Sequence, residues 1–269
     1  MALESDLLGP IILGIVEGLT EFLPVSSTGH LILAQQIIGF DDRRAGILDV
    51  VIQVGAILAI CWLYWGRLWD VARTLASDAN SRRFVRNIMV AFAPAVVVGA
   101  LAHDFIKQVL FSPWVVAVSL IVGGVAIIAI ERLTKARTGR ADVEGLSSRL
   151  ALGVGFCQLL SLIPGVSRSG ATIMGGVMLG IDRKTATEFS FFLAIPTMFG
   201  AAALDLFKNR HLIHADDALS IGVGFVTSFV VAIIVVRWLV RFVGRHGFTV
   251  FGWYRIAAGI IALTLLSQG

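Results

Sequence analysis

The segment EGLTEFLPVSSTGH, residues 17–30, decides how the rest of this sequence is interpreted. It carries two carboxylates, four hydroxyl groups and a histidine, yet apolar runs precede it at 11–13 and follow it at 31–33. Ionisable groups inside an apolar stretch are costly, so function is their default explanation. The segment therefore predicts a polar site enclosed by an apolar fold.

Composition indicates that this fold lies in a membrane. Hydrophobic residues make up 57% of the 269 residues, charged residues make up 15%, and mean hydropathy is +0.87, which is outside the range of soluble domains. Several apolar stretches reach the roughly 20 residues that a helix needs to cross a bilayer, and none alternates like a membrane strand. We predict an all-α polytopic membrane protein without a cleaved signal peptide. The net charge of +4 gathers in short loops, where it reports orientation rather than nucleic-acid binding.

Six stretches are long enough to span the bilayer: roughly 46–65, 86–102, 112–131, 187–205, 217–236 and 248–266. Three segments between or beside them are rich in arginine, and the positive-inside rule places these in the cytoplasm. They lie at 67–86, 132–149 and 237–245. The mixed-charge segments then fall on the opposite side, and these are 41–44, 103–107 and 208–217.

Two further stretches, 7–40 and 150–181, are each split by a proline that is followed by hydroxyl residues and glycine. The apolar runs after Pro24 and Pro164 have only ten and twelve residues, too few to cross a bilayer alone. We therefore expect two re-entrant helical hairpins. Their tips should face an interior site, because non-helical backbone at membrane depth needs protein or water to satisfy it.

The two hairpin sequences are related to each other. A shift of 141 positions aligns them without a gap and pairs, among others, Val25 and Ser26 with Val166 and Ser167. We predict a single integral membrane domain of residues 1–269, with inverted repeat halves of approximately 7–131 and 150–266. A basic cytoplasmic loop, 132–149, joins them. The hairpins then enter from opposite faces, and their tips meet near the midplane.

The first hairpin carries acids and hydroxyls that the second lacks. Glu17 and Glu21 are four residues apart and share a helix face, a like-charge arrangement that calls for a cation or a proton. The run Ser26, Ser27 and Thr28 follows the proline break and precedes a helix. Such residues cap helix N-termini, and the same geometry binds phosphate.

His30 lies three residues after Ser27 and is a candidate acid or base. The second tip, IPGVSRSGAT at 163–172, holds Arg168, the one cation within either tip. A guanidinium is suited to gripping a phosphate with two parallel hydrogen bonds. The alternative is an intramembrane ion pair between Arg168 and Glu17 or Glu21. Three hydroxyl residues beside the arginine add hydrogen-bond donors: Ser167, Ser169 and Thr172.

These two motifs together resemble the undecaprenyl-diphosphate phosphatases of the bacitracin-resistance membrane family. The similarity continues through VVIQVGAILA (50–59) and EFSFFLAIPTMFGAAALDL (188–206), so it runs along almost the whole chain. It implies a hydrolase that converts undecaprenyl diphosphate, a C55 lipid, to undecaprenyl phosphate and inorganic phosphate. That reaction recycles the lipid carrier for cell-wall synthesis and confers bacitracin resistance. The resemblance also implies inverted repeats, re-entrant hairpins and a site open to the periplasmic face of the bacterial inner (plasma) membrane.

The residues suggest how such a reaction would run. We expect Ser27 to be the nucleophile, with His30 or Glu21 taking its proton. The alternatives are direct attack by water with His30 as base, and His30 itself as nucleophile. The site would contain two carboxylates and a diphosphate but only one arginine, so its net charge would be negative. A divalent cation, Mg²⁺ or Ca²⁺, between Glu17, Glu21 and phosphate would relieve it, and a protonated glutamate would relieve part of it.

A different class of function is also compatible with these patterns. Inverted repeats and broken helices that meet at the midplane are how secondary transporters build their substrate sites. The second hypothesis is therefore a transporter or flippase of undecaprenyl phosphate or another anion. A homodimer is compatible with the sequence as well.

Overall fold

The computed structural model describes residues 2–40, 42–105, 112–134, 142–209 and 217–267. Throughout this part of the chain the regular structure is helical. Eleven α-helices are described: α1 Ala2–Thr20, α2 Ser27–Ile38, α3 Asp42–Leu63, α4 Trp65–Thr74, α5 Ala79–Phe105, α6 Pro113–Leu133, α7 Ser148–Gln158, α8 Arg168–Met178, α9 Arg183–Asn209, α10 Ala218–His246 and α11 Thr249–Leu266. Two short 3₁₀ helices, Val143–Gly145 and Leu159–Leu162, precede and follow α7.

Six of these helices are long and apolar enough to cross a membrane, which confirms the predicted all-α polytopic fold. They are α3, α5, α6, α9, α10 and α11. Two boundaries differ clearly from the prediction. Helix α5 begins at Ala79 and α10 continues to His246, because amphipathic turns with arginines extend each apolar core beyond the stretch that hydropathy detects.

The ten-residue helix α4 was not predicted, because its arginines were assigned to a basic segment that connects two membrane spans. Its tryptophans Trp65 and Trp69 are exposed and stack at a ring distance of 5.9 Å. The guanidinium of Arg73 lies 4.6 Å from the centre of the Trp69 ring. This composition is typical of a helix that lies at a membrane–water interface.

Four of the remaining five helices form the two hairpins, α1 with α2 and α7 with α8. Each hairpin packs its first helix across the molecule, α1 against α10 and α7 against α5. Gly14 in α1 and Gly155 in α7, which the 141-residue shift pairs, make these contacts close. A Cβ atom on either glycine would collide with a carbonyl oxygen, that of Gly224 or of Ala91.

The helices place both hairpin tips in the interior. Phe22, in the first tip, is fully buried and packs edge-on against Phe191 of α9 at a ring distance of 5.4 Å. The direction from which each hairpin enters the membrane stays a prediction of the positive-inside rule, as does the inverted repeat. Parts of the charged segments on which that orientation rests, within 41–44, 103–107, 132–149 and 208–217, lie outside the described residues.

Candidate active site

The two hairpin tips share an uncommon backbone conformation. Ser26 has φ 74° and Ser167 has φ 75°, and these are the non-glycine residues with positive φ among those the structure describes. Each serine caps the helix that follows, since its side chain accepts a hydrogen bond from the amide of Gly29 or of Gly170. Backbone strain of this kind costs about 1–3 kcal/mol and clusters at functional sites. Both tips are therefore candidates for a site.

Glu21 connects the two tips. The Ser27 hydroxyl donates a hydrogen bond to Glu21 Oε2 at 2.5 Å, and Arg168 Nη2 donates to Glu21 Oε1 at 2.9 Å. Glu21 is only 7% exposed, so its ion pair with Arg168 is shielded from water. Three of the predicted site residues thus form one hydrogen-bonded junction. The intramembrane ion pair that the sequence offered as an alternative role of Arg168 is present.

The Arg168 guanidinium has contacts beyond Glu21. Its Nη1 donates to the main-chain oxygen of Ser190 at 3.1 Å, and Nη2 lies 3.2 Å from the sulfur of Met198. The buried Nε atom has no hydrogen-bond partner. A buried donor without a partner is costly, and it marks a place where a ligand or water would bind. Arg168 therefore keeps one donor without a partner, Nε, while it is paired with Glu21.

Glu17 is buried more deeply than Glu21, with 1% of its surface exposed, and its Oε1 atom has no hydrogen-bond partner. Glu21 and Asp49 of α3 lie within electrostatic range. Asp49 accepts a hydrogen bond from Gln35 Nε2 at 2.8 Å. Glu17 therefore has two acids in its neighbourhood, and sequence reasoning identified only Glu21.

The unpartnered Glu17 oxygen fits the predicted divalent cation. In the part of the chain that is described, no three His, Cys, Asp or Glu side chains are arranged to hold a metal ion. Mg²⁺ commonly takes one or two carboxylates and completes its shell with substrate phosphates and water. Glu17 offers an oxygen without a partner for such a cation, whereas both Glu21 oxygens already accept hydrogen bonds and Glu21 would have to share one of them.

The described hydrogen bonds of the His30 ring go to residues outside the junction of Ser27, Glu21 and Arg168. Its Nδ1 lies 2.7 Å from the main-chain oxygen of Ser26, and its Nε2 lies 2.6 Å from the hydroxyl of Tyr254 in α11. The two rings stack at 5.5 Å. Since a carbonyl only accepts, Nδ1 carries the hydrogen, and Nε2 of the neutral ring accepts from the tyrosine. The Ser27 hydroxyl is bonded to Glu21 and not to His30. The catalytic role predicted for His30 stays a prediction.

The remaining predicted phosphate donors mostly bind the protein itself. Ser169 donates to the main-chain oxygen of Leu23 at 2.7 Å and so ties the second tip to the first. The Thr172 hydroxyl lies 2.7 Å from that of Ser190. Thr28 is exposed. These hydroxyls support the junction, and Thr28 remains accessible from outside it.

Sequence reasoning missed a second buried arginine. Arg255 of α11 has no exposed surface, and it donates hydrogen bonds to carbonyl oxygens of both tips, including Pro24 at 3.1 Å and Gly165 at 2.8 Å. A signal was available, because a lone arginine in the apolar stretch 248–266 is an intramembrane ionisable residue. The charge count that motivated a metal ion therefore omitted one cation as well as Asp49.

The comparisons with known proteins identify the family of the chain. The family model of "Bacitracin resistance protein BacA" matches residues 10–261. "Undecaprenyl-diphosphatase 2" from Paramagnetospirillum magneticum is 54% identical over 97% of this chain and 99% of its own length. Proteins named "Undecaprenyl-diphosphatase" from Parvibaculum lavamentivorans and Nitrosospira multiformis are each 52% identical over 98% of this chain, and 98% and 96% of their own lengths are covered. The chain therefore belongs to the bacitracin resistance protein BacA family.

Proposed function

We propose that this protein is a membrane phosphatase that hydrolyses undecaprenyl diphosphate to undecaprenyl phosphate and inorganic phosphate. The observation that carries the proposal is the junction of Ser27, Glu21 and Arg168 at two hairpin tips inside a helical membrane protein. A diphosphate on a C55 chain needs a polar pocket for its head within reach of lipid for its tail, and this arrangement meets both needs. The names of the relatives favour this function over the transporter hypothesis.

The hydrogen bond from Ser27 to Glu21 supports a two-step reaction. The Ser27 oxygen attacks the terminal phosphorus while its hydrogen passes to Glu21 Oε2. The bond from phosphorus to the bridging oxygen breaks, and undecaprenyl phosphate leaves with that oxygen. Water then hydrolyses the phosphoserine, which releases inorganic phosphate and restores the hydroxyl group.

Arg168 and the N-termini of α2 and α8 would hold the transferred phosphoryl group. Guanidinium and helix N-termini both stabilise the charge on phosphoryl oxygens. A bound Mg²⁺ or Ca²⁺, held by Glu17 and Glu21, would neutralise further charge on the phosphates. Binding a phosphate at Arg168 requires its unpartnered Nε atom or a partial exchange of the Glu21 contact.

The protein is a multi-pass membrane protein, and we assign it to the bacterial inner membrane with the site open to the periplasmic face. In that setting it recycles the lipid carrier for the cell wall, and raised amounts of it protect against bacitracin. The homodimer stays a prediction.

Phosphate release in detergent tests the activity and the metal together. Purified protein should release inorganic phosphate from undecaprenyl diphosphate, EDTA should abolish the release, and added Mg²⁺ or Ca²⁺ should restore it. Glu17→Gln should raise the cation concentration needed for half-maximal rate by at least about tenfold. Full activity in EDTA would remove the metal from the proposal. Absence of phosphate release under every condition would leave the transporter hypothesis.

Cysteine labelling in intact cells tests the orientation. The two native cysteines, Cys61 and Cys157, are first replaced by alanine. Ser77→Cys, after α4, should then be protected from a membrane-impermeant thiol reagent, and Ser267→Cys, after α11, should be labelled, because the positive-inside rule puts them on opposite sides. The reverse pattern would invert the topology and place the site on the cytoplasmic side.

A further inference from the structure

The guanidinium of Arg255 is bound entirely by main-chain oxygens. It donates five hydrogen bonds and so uses all the donors that an arginine has. Two acceptors lie in α6, one in the first tip and two in the second: Ser119 at 3.1 Å, Leu120 at 3.4 Å, Pro24 at 3.1 Å, Gly165 at 2.8 Å and Val166 at 2.9 Å. One side chain thus fixes both tips to each other and to α6.

Three of the five acceptors lie within two residues of a capping serine. Pro24 comes two residues before the cap Ser26, and Val166 comes immediately before the cap Ser167. The hydrogen bonds therefore set the separation between the N-termini of α2 and α8. That separation decides whether Glu21 reaches both Ser27 and Arg168, since the junction spans the two tips.

The fold makes room for this arginine. A Cβ atom at Gly123 of α6 would collide with the guanidinium. The second tip also has Gly165 at φ +88°, where an added Cβ would lie 2.7 Å from the main-chain oxygen of Val116. Gly123 therefore leaves space for the guanidinium, and Gly165 lets the second tip lie close against α6.

The charge of Arg255 is unusual for a residue with no exposed surface. All five of its described hydrogen bonds go to neutral carbonyl groups, and it takes part in none of the described salt bridges. A buried cation without a carboxylate partner is costly. Carbonyl dipoles solvate it, and its positive charge stays available to an anion at the two helix N-termini.

We propose that Arg255 is a positioning residue of the phosphatase site, an inference that rests on the proposed function. It holds the two tips at the separation at which Ser27, Glu21 and Arg168 meet, and it adds positive charge behind the phosphate. It touches neither the nucleophile nor the substrate.

Four variants test this role. Arg255→Lys keeps the positive charge and loses the five-donor guanidinium, and Arg255→Gln loses both. Gly123→Ala does not change Arg255, but its added methyl group would push the guanidinium out of its position. Gly222→Ala is the matched control, because that glycine is an exposed helical residue with nothing within 4 Å of an added Cβ. The measurements are kcat, KM and melting temperature in detergent.

We expect kcat to fall by about 10- to 100-fold in Arg255→Lys and Gly123→Ala and further in Arg255→Gln, with KM changing less than about threefold. A misplaced junction slows the chemical step, whereas partial unfolding lowers the amount of active protein at unchanged KM and kcat per folded molecule. Gly222→Ala should match the wild type. Normal kcat per folded molecule in Arg255→Gln would make the arginine purely structural and overturn the proposal.

Amide hydrogen exchange supplies a readout that does not depend on activity. In Arg255→Lys, exchange should rise in both tips together, around 22–29 and 164–170, while α3 and α9 keep their protection. Exchange that rises in one tip only, or throughout the helices, would refute the positioning role. If the wild type releases no phosphate, the proposed function fails, and exchange alone then decides whether Arg255 fixes the tips.

Discussion

The two hairpin tips share the conformation of one serine and differ in their chemistry. Both break after an apolar helix, both resume at a strained serine, Ser26 or Ser167, and both cap the next helix with that serine. At the next position the first hairpin has Ser27 and the second has Arg168. The position that holds Glu21 in the first hairpin holds Leu162 in the second. A shared scaffold thus presents a nucleophile and an acid from one side and a cation from the other.

This difference explains why the site needs both tips. Neither hairpin alone contains a serine, a carboxylate and a guanidinium in contact. Glu21 of the first tip binds both Ser27 of its own tip and Arg168 of the second tip. Arg255 donates hydrogen bonds to main-chain oxygens of both tips. Under the predicted duplication, each copy keeps the capping serine at its tip and differs from the other in the side chains beside it.

The largest expected effect comes from Ser27→Ala. If Ser27 is the nucleophile, kcat should fall by more than about 10³-fold, and substrate binding should fall less, because Arg168 and the helix N-termini remain. The matched control is Ser161→Ala in the second hairpin, whose hydroxyl donates a local hydrogen bond to the main-chain oxygen of Gln158 at 2.7 Å. Steady-state kinetics and binding of unhydrolysed substrate measure the two quantities.

Turnover close to wild type in Ser27→Ala would remove the serine from the chemistry. Two routes would then remain, attack by water with His30 as base and attack by His30 itself. In that case the comparison between the hairpins would also change, because the acid and the histidine rather than the hydroxyl would distinguish the first tip.

The sequence predicted the six spans, the two breaks and the residues of the junction. Hydropathy over 20 residues is a strong signal, and a proline among hydroxyl residues such as Pro24 is a clear helix break. The contacts could not be predicted. Asp49, Ser190 and Tyr254 join the site from three other helices, and only packing brings them there.

His30 illustrates the same limit. Its spacing of three residues from Ser27 favours a catalytic pair, since such residues are neighbours on a helix. Tyr254 is 224 positions away in sequence, and its hydroxyl is hydrogen-bonded to one nitrogen of the His30 ring. The other ring nitrogen is hydrogen-bonded to the main-chain oxygen of Ser26. Local spacing cannot reveal a long-range partner of this kind.

The next largest effect concerns Arg168→Lys, which keeps the charge and loses the planar fork. If the guanidinium grips the transferred phosphoryl group, kcat/KM should fall by about 10²- to 10³-fold, equivalent to roughly 2–4 kcal/mol, with little change in melting temperature. Arg149→Lys is the matched control, an exposed arginine of the same hairpin. A lysine variant that is unstable but active per folded molecule would show that the Glu21 ion pair is the whole role of Arg168.

Alanine at either of the two close-packed hairpin glycines should have a more moderate effect, a loss of stability of similar size in the two hairpins. Gly14→Ala and Gly155→Ala each force a methyl group against a carbonyl oxygen of the helix across the molecule. Overpacking of this kind typically costs about 1–3 kcal/mol. Both variants should lower the melting temperature, and Gly222→Ala should not. A loss in one variant alone would show that α1 and α7 are not held equivalently.

The smallest effects should come from the two strained serines, and they compare the tips most directly. Alanine at Ser26 or Ser167 removes the cap oxygen, which costs about 1 kcal/mol, and keeps a Cβ at positive φ. Glycine also removes the oxygen but tolerates positive φ, and glycine is itself an acceptable N-cap. Each glycine variant should therefore be more stable than its alanine counterpart by about 1 kcal/mol. Unfolding in detergent measures the four differences. Equal differences at both positions would establish that the tips store the same strain, whereas a glycine advantage at one position only would mean that the shared φ has different causes in the two hairpins.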